Sequence, residues 1–522
     1  MNNDSRSRRH LGVALAAIAA VALAGCTDPT PSPDATSEVG DLLTVAVAAP
    51  ATGINPASVN TAFADFATIA YEPLIRFSPG GNYEPGLAES WTVGDGNTTM
   101  SLQLRDGVEF SDGTAVTAEA VKASLEYCAS ETSVNAQVLQ DLASIEVTGE
   151  LNLEIELSAP NPLFEYMLTQ RQGCGMIISP AGLDNIDDLT VDAESAGAGP
   201  YIYQPSQSVP GDSYTYAANP LYFEPERQHY RTIVLKVIAQ PQAALNALTT
   251  GQIDMATGDL STAAQAAGTP GIQIASTPFI WAGLNLIDRD GETTAALGDV
   301  RVRQAINYAI DREAVATALL GEFGVATGQP SAEGFDGWSQ EAADFYSYDP
   351  QKAKDLLAEA GYADGFDLPV ITVAFGGLDT LTTAITPMLA EVGIRVNALV
   401  STDEKTYIDG MYNRQYSAAA VGYGSQPMYL MGTALVLPSA LPFNGFGTDD
   451  PTAVGLVDQI RSADADAQAA YAQELNLYLV EQAWFAPVMF GPVLYYAREG
   501  LAGVEVSGEY PTISVLDVSN GS

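Results

Sequence analysis

Histidine is the side chain most used for proton transfer and metal ligation near neutral pH. This chain has two, His10 and His229. His229 stands among Arg227, Gln228, Tyr230 and Arg231, a surface setting. With His10 in a segment set apart below, no two-histidine metal site can form, and no Cys-x-x-Cys occurs. A Ser-His-Asp triad would have to use His229, and there is no Gly-x-Ser-x-Gly elbow to present its serine. A phosphate loop of the Gly-x-x-x-x-Gly-Lys type is also missing. Asp288-Arg289-Asp290-Gly291-Glu292 has the opening of a calcium loop without the downstream acidic ligand, and reads as a turn. Carboxylates number 64, so chance pairs among them carry no weight. No cofactor, metal or catalytic set emerges, and a binding protein rather than an enzyme is expected.

The three cysteines have different settings. Arg6, Arg8 and Arg9 precede an apolar run over 11–23, too short to span a bilayer stably. Leu23-Ala24-Gly25-Cys26 follows and matches the bacterial lipobox, in which the thiol is acylated and becomes the new N-terminus. Residues 1–25 are thus read as a signal peptide, with Cys26 the lipidation site. Ser7-Arg8-Arg9-His10-Leu11 also has the look of a twin-arginine signal. Residues 26–40, rich in Pro and short polar side chains, cannot bury enough apolar surface to offset their ordering entropy and form a tether. A globular body held beside a membrane, outside the cytoplasm, is expected. Cys128 and Cys174 are then an even pair in an oxidising compartment, which favours a disulfide over two buried thiols.

The formal net charge is −43. Without residues 1–25, which hold three arginines and one aspartate, it is −45. Such a chain repels phosphate backbones, which excludes nucleic acid as a partner. The body of roughly 480 residues exceeds what one core supports, so two or three lobes are expected.

Helices and strands alternate along the chain. Strands are predicted at 42–48, 98–105, 151–157, 232–238, 369–375 and 394–400, from runs or alternation of β-branched and apolar residues. Helices are predicted at 61–72, 118–127 with Thr117 as cap, 242–250, 299–320, 350–360 with Asp349 as cap and Pro350 at its first position, 379–392 and 466–482. Strand pieces follow near 486–497. This alternation predicts α/β lobes with mixed sheets.

Several short stretches occur in a telling order. They are Tyr71-Glu72-Pro73-Leu74-Ile75-Arg76-Phe77, Tyr83-Glu84-Pro85-Gly86-Leu87-Ala88-Glu89-Ser90-Trp91, Leu104-Arg105-Asp106-Gly107-Val108-Glu109-Phe110-Ser111-Asp112-Gly113, Gly199-Pro200-Tyr201, Asn219-Pro220-Leu221-Tyr222, Gly251-Gln252-Ile253-Asp254, Asp299-Val300-Arg301-Val302-Arg303-Gln304-Ala305 and Tyr348-Asp349-Pro350. Together they resemble the peptide/nickel-type (family 5) solute-binding proteins of ABC importers. The resemblance implies a two-lobed fold of periplasmic-binding-protein type II with an additional subdomain. Lobe I would comprise 41–75, 197–284 and 486–522, the subdomain 76–196 and lobe II 285–485. A monomer would close its lobes on an oligopeptide or related small solute and present it to membrane permease subunits.

One departure bears on the ligand. Peptide-binding members carry Gly-Trp and then an aspartate that pairs with the peptide ammonium. The matching stretch here is Val421-Gly422-Tyr423-Gly424-Ser425-Gln426-Pro427, and no acid occurs over 421–441. A buried ammonium without an anion costs several kcal/mol, on the order of an unpaired buried charge. Either the ligand lacks a free amine, as an oligosaccharide does, or another acid supplies the charge. Tyr423, Gly424, Ser425 and Gln426 are the first candidate ligand contacts. Trp281 and Asn285, at the expected crossing between lobes, and Phe375, Gly376 and Gly377, at a strand end, are the next.

Overall fold

The computed structural model describes residues 39–521 apart from 59–64, 131, 134 and 375. The expected signal peptide, Cys26, nearly all of the tether and Phe375 lie outside the described residues. Two antiparallel 14-residue strands, Ile272–Asn285 and Phe485–Arg498, form the spine of an 11-stranded sheet. Outward on one side lie Ala418–Gly424, Phe366–Val373 and Ile394–Ser401. Outward on the other lie Met255–Thr257, Gly40–Val47, Tyr230–Val237, Ser213–Ala218 and Tyr201–Tyr203. The sheet is mixed. Gly40–Val47 runs parallel to Tyr230–Val237, and Phe366–Val373 runs parallel to both its neighbours.

The predicted βαβ unit is present as Phe366–Val373, helix Leu378–Glu391 and Ile394–Ser401. It packs into a core with Leu381, Ile385, Leu475 and Trp484. A second core gathers the rings of Tyr201, Tyr203, Tyr214 and Tyr216 around Ile233 and Leu235. A separate antiparallel sheet of four strands (Ala88–Val93, Thr99–Leu104, Asn152–Leu157, Leu142–Gly149) buries Leu102, Leu104, Leu153 and Ile155 against helix Ala118–Ala129. That helix starts where Thr117 accepts the Ala120 N–H. In its last turn stands Cys128, which is disulfide-bonded to Cys174 with Cα atoms 5.7 Å apart. Among the described residues no helix is long and apolar enough to cross a membrane.

The helix expected over 299–320 is two, Val300–Tyr308 and Arg312–Leu320. Apolar spacing continues through the break, but Asp311 caps the second helix by accepting the Ala314 N–H at 3.0 Å. Arg312 turns back to donate to the Asn307 carbonyl at 2.9 Å and to its Oδ1 at 2.7 Å. Midway along the spine Pro278 stands opposite Pro492, followed by a register shift before Ile280. Neither proline has an N–H for the ladder, so inter-strand bonding is thinnest where the chain passes from one core to the other.

Candidate ligand-binding site

A cavity of about 720 Å³ opens beside the proline pair. One wall is Asp65, Thr68, Glu72 and Arg76, together with Gln170 and Arg171 and the C-terminal turn Tyr510-Pro511-Thr512. The opposite wall is Phe335 and residues 424–427, and Phe279 and Tyr495 of the two spine strands form the floor between them. The site thus joins stretches from most of the chain.

The 424–427 wall is fastened to the spine. Both the N–H and the hydroxyl of Ser425 donate to the Phe279 carbonyl, at 2.8 and 2.9 Å. Gly424 lets the Phe279 ring close in, since a Cβ there would lie 2.9 Å from it. Ser425 is thereby a positioning residue with its hydroxyl already bonded, and Gln426 brings the amide group of this wall. Tyr423 is half-buried behind it, edge-on to Phe443 with centroids 5.4 Å apart. Burial pushes the Tyr423 phenol above its ordinary range, with the Gln426 amide pulling it back.

Trp281 and Asn285 sit elsewhere than the sequence suggested. Trp281 is fully buried and edge-on to Phe485 at 5.3 Å. Asn285, also fully buried, donates to the Phe443 carbonyl at 2.8 Å and accepts from Arg289 at 2.7 Å. The spine strand continues past the cavity into the core, and its even spacing turns both side chains to that core. Gly376 and Gly377 take φ of +65° and +74° and lead into helix Leu378–Glu391; they do not line the cavity.

Sequence reasoning missed the opposite wall. The loop carrying Arg171 is held by the Cys128–Cys174 bridge three residues on. Nη1 of Arg171 donates to Thr512 Oγ1 at 2.8 Å, and the guanidinium lies 5.3 Å from the Tyr510 ring centre. Its Nε is buried without an acceptor among the described residues. The other two cations of the lining are paired: Arg76 with Glu72 at 2.5 Å and Glu224 at 2.7 Å, Arg227 with Asp517 at 3.5 Å. Burial pushes the Asp65 carboxyl up to about 6, with Arg171 opposing the rise. A basic residue three positions before a bridged cysteine is the sequence signal for this wall.

A second cavity of about 640 Å³ includes Arg312, Thr327 and Trp338 in its lining. The Arg312 guanidinium already donates to the carbonyls of Thr327, Pro487 and Asn307 and to Asn307 Oδ1, so its N–H groups are engaged within the protein. The first cavity combines both walls with a cation and acids that have no ion-pair partner among the described residues.

Residues 82–435 match the family model for bacterial extracellular solute-binding proteins, family 5. The chain belongs to that family. This solute-binding protein is 27% identical over 365 residues to the nickel-binding periplasmic protein of Escherichia coli K12, covering 65% of this chain and 67% of that one. It is 28% identical over 335 residues to the glutathione-binding protein GsiB of E. coli O1:K1, covering 62% of each. HbpA2 from Haemophilus parasuis superposes with a TM-score of 0.81 at 20% identity, covering 92% of this chain and 100% of that one. The fold is the two-lobed type II periplasmic-binding-protein arrangement with mixed sheets.

Proposed function

We propose that this solute-binding protein is the substrate-binding component of an ABC importer, taking up an oligopeptide or related small solute outside the cytoplasm. The observation that carries this reading is the cavity of about 720 Å³ with one wall from each half of the molecule over a proline-interrupted crossing. Closure of two walls on a solute excludes water and strengthens polar contacts within. Relatives named for nickel and for glutathione binding support a transport role and leave the solute class open.

In this reading lobe I comprises 41–75, 197–284 and 486–522, the extra subdomain 76–196 and lobe II 285–485. The monomer binds through the cavity and meets permease subunits in its closed form. The lipobox supports anchorage through an acylated Cys26. Gly424, Ser425 and Gln426 form the lobe II contact or its support, with Tyr423 behind them, and no catalytic step is required of any of them. A thermal-shift panel of peptides, amino acids, sugars and metal chelates tests the reading. Ligand at 100 times its Kd should add about 2.7 kcal/mol of stability. A panel without any shift, together with normal solute uptake after deletion of the gene, would contradict it. Replacing Cys26 by Ala should release the protein from the membrane fraction.

A further inference from the structure

The charged groups lining the cavity are unequal. Glu72, Arg76, Arg227 and Asp517 are held in ion pairs. Asp65, Glu84, Glu509 and Arg171 have no ion-pair partner among the described residues; Glu84 is exposed, Asp65 is an acid that feels the Arg171 charge, and the buried Nε of Arg171 has no acceptor. Asp65 and Arg171 line the same cavity as Tyr495 and Tyr510, and each tyrosine feels the charge of both. An unpaired buried charge is costly unless something brings it a counter-charge. The Arg171 guanidinium is oriented by Thr512 Oγ1 and the Tyr510 ring, with its Nε edge left over for an acceptor. A planar carboxylate fits such an edge.

We infer that the ligand is a small zwitterion, its carboxylate on Arg171 and its ammonium on Asp65, as in a short peptide or amino-acid conjugate with free ends. This rests on the reading of the cavity as the solute site. It also answers the missing acid over 421–441, because the counter-charge for the amine comes from the opposite wall. Carboxylate and ammonium are each read by one residue, so the two ends are separable by experiment.

The probe is a pool of amino acids and random tripeptides, offered to the intact protein in free, N-acetylated and C-amidated forms and weighed by native mass spectrometry. The free pool should bind, and each capped pool should bind roughly 10–100-fold more weakly, the effect of losing one charged hydrogen-bonded contact. Arg171→Gln should abolish discrimination against the amide only, and Asp65→Asn against the acetyl group only. Arg171→Lys, which keeps the charge, should retain part of the discrimination. Thermal unfolding of each variant separates lost recognition from lost folding. Equal binding of capped and free pools overturns the inference. So does a sugar or metal chelate bound in place of every pool, an outcome that leaves the receptor reading standing. If the protein binds neither the pools nor any of these, both fall.

Discussion

At the scale of single residues, Trp281 and Gln426 make opposite predictions although they lie close in the fold. Trp281 fills a core against Phe485, so Trp281→Ala should cost about 3–5 kcal/mol of stability, measured by denaturant unfolding. Gln426→Ala removes a cavity-wall amide, so it should change stability by less than about 0.5 kcal/mol and lower ligand affinity. The reverse pattern would mean the site lies elsewhere. Asp336 gives a pH prediction. Its carboxyl accepts the Met428 N–H at 2.8 Å, yet burial pushes it up to about 6 from an ordinary 3.8. The folded state therefore holds this proton more tightly than the unfolded one. Its contribution to stability is greatest below the ordinary value and is lost as pH rises through about 6. Asp336→Asn, whose Oδ1 still accepts that N–H, should be more stable than the parent at pH 7 and should flatten the rise in Tm on acidification. Identical pH profiles would contradict the assignment.

At the scale of elements, the bridge Cys128–Cys174 links the helix Ala118–Ala129 to the loop that carries Arg171. Replacing both cysteines by Ser should lower stability by about 2–4 kcal/mol and weaken ligand binding by freeing that loop. A stability loss with unchanged affinity would mean that packing alone holds Arg171. Local signals were legible in the sequence. Asp349, Pro350 and Gly361 mark the ends of helix Pro350–Glu359, and Thr117 marks the start of another. The break at Ile310–Asp311 was not, because the apolar period runs through it. The break rests on Arg312 turning back to Asn307 and reaching the distant Pro487 carbonyl. The cavity shows the same limit: 424–427 was found from a motif, whereas Asp65, Arg171 and Thr512 come together only through tertiary folding.

At the scale of the whole molecule, the 14-residue strands of the spine tie the two halves into one sheet while the Pro278–Pro492 pair loosens the ladder at the crossing. Ligand binding should bring the walls together about this point, and small-angle scattering should show a smaller radius of gyration with saturating ligand. An unchanged radius would point to a preformed, rigid site. The formal net charge of −43 repels polyanions.

The most direct measurement is native mass spectrometry of the protein purified without refolding, to weigh what travels in its cavity. The account predicts one small solute per chain, or a family of peptide masses, released by unfolding and lost in the Arg171→Gln variant. A bound mass that Arg171→Gln, Asp65→Asn and Gln426→Ala all leave at full occupancy would contradict it, because the solute would then be held outside the cavity between the two walls.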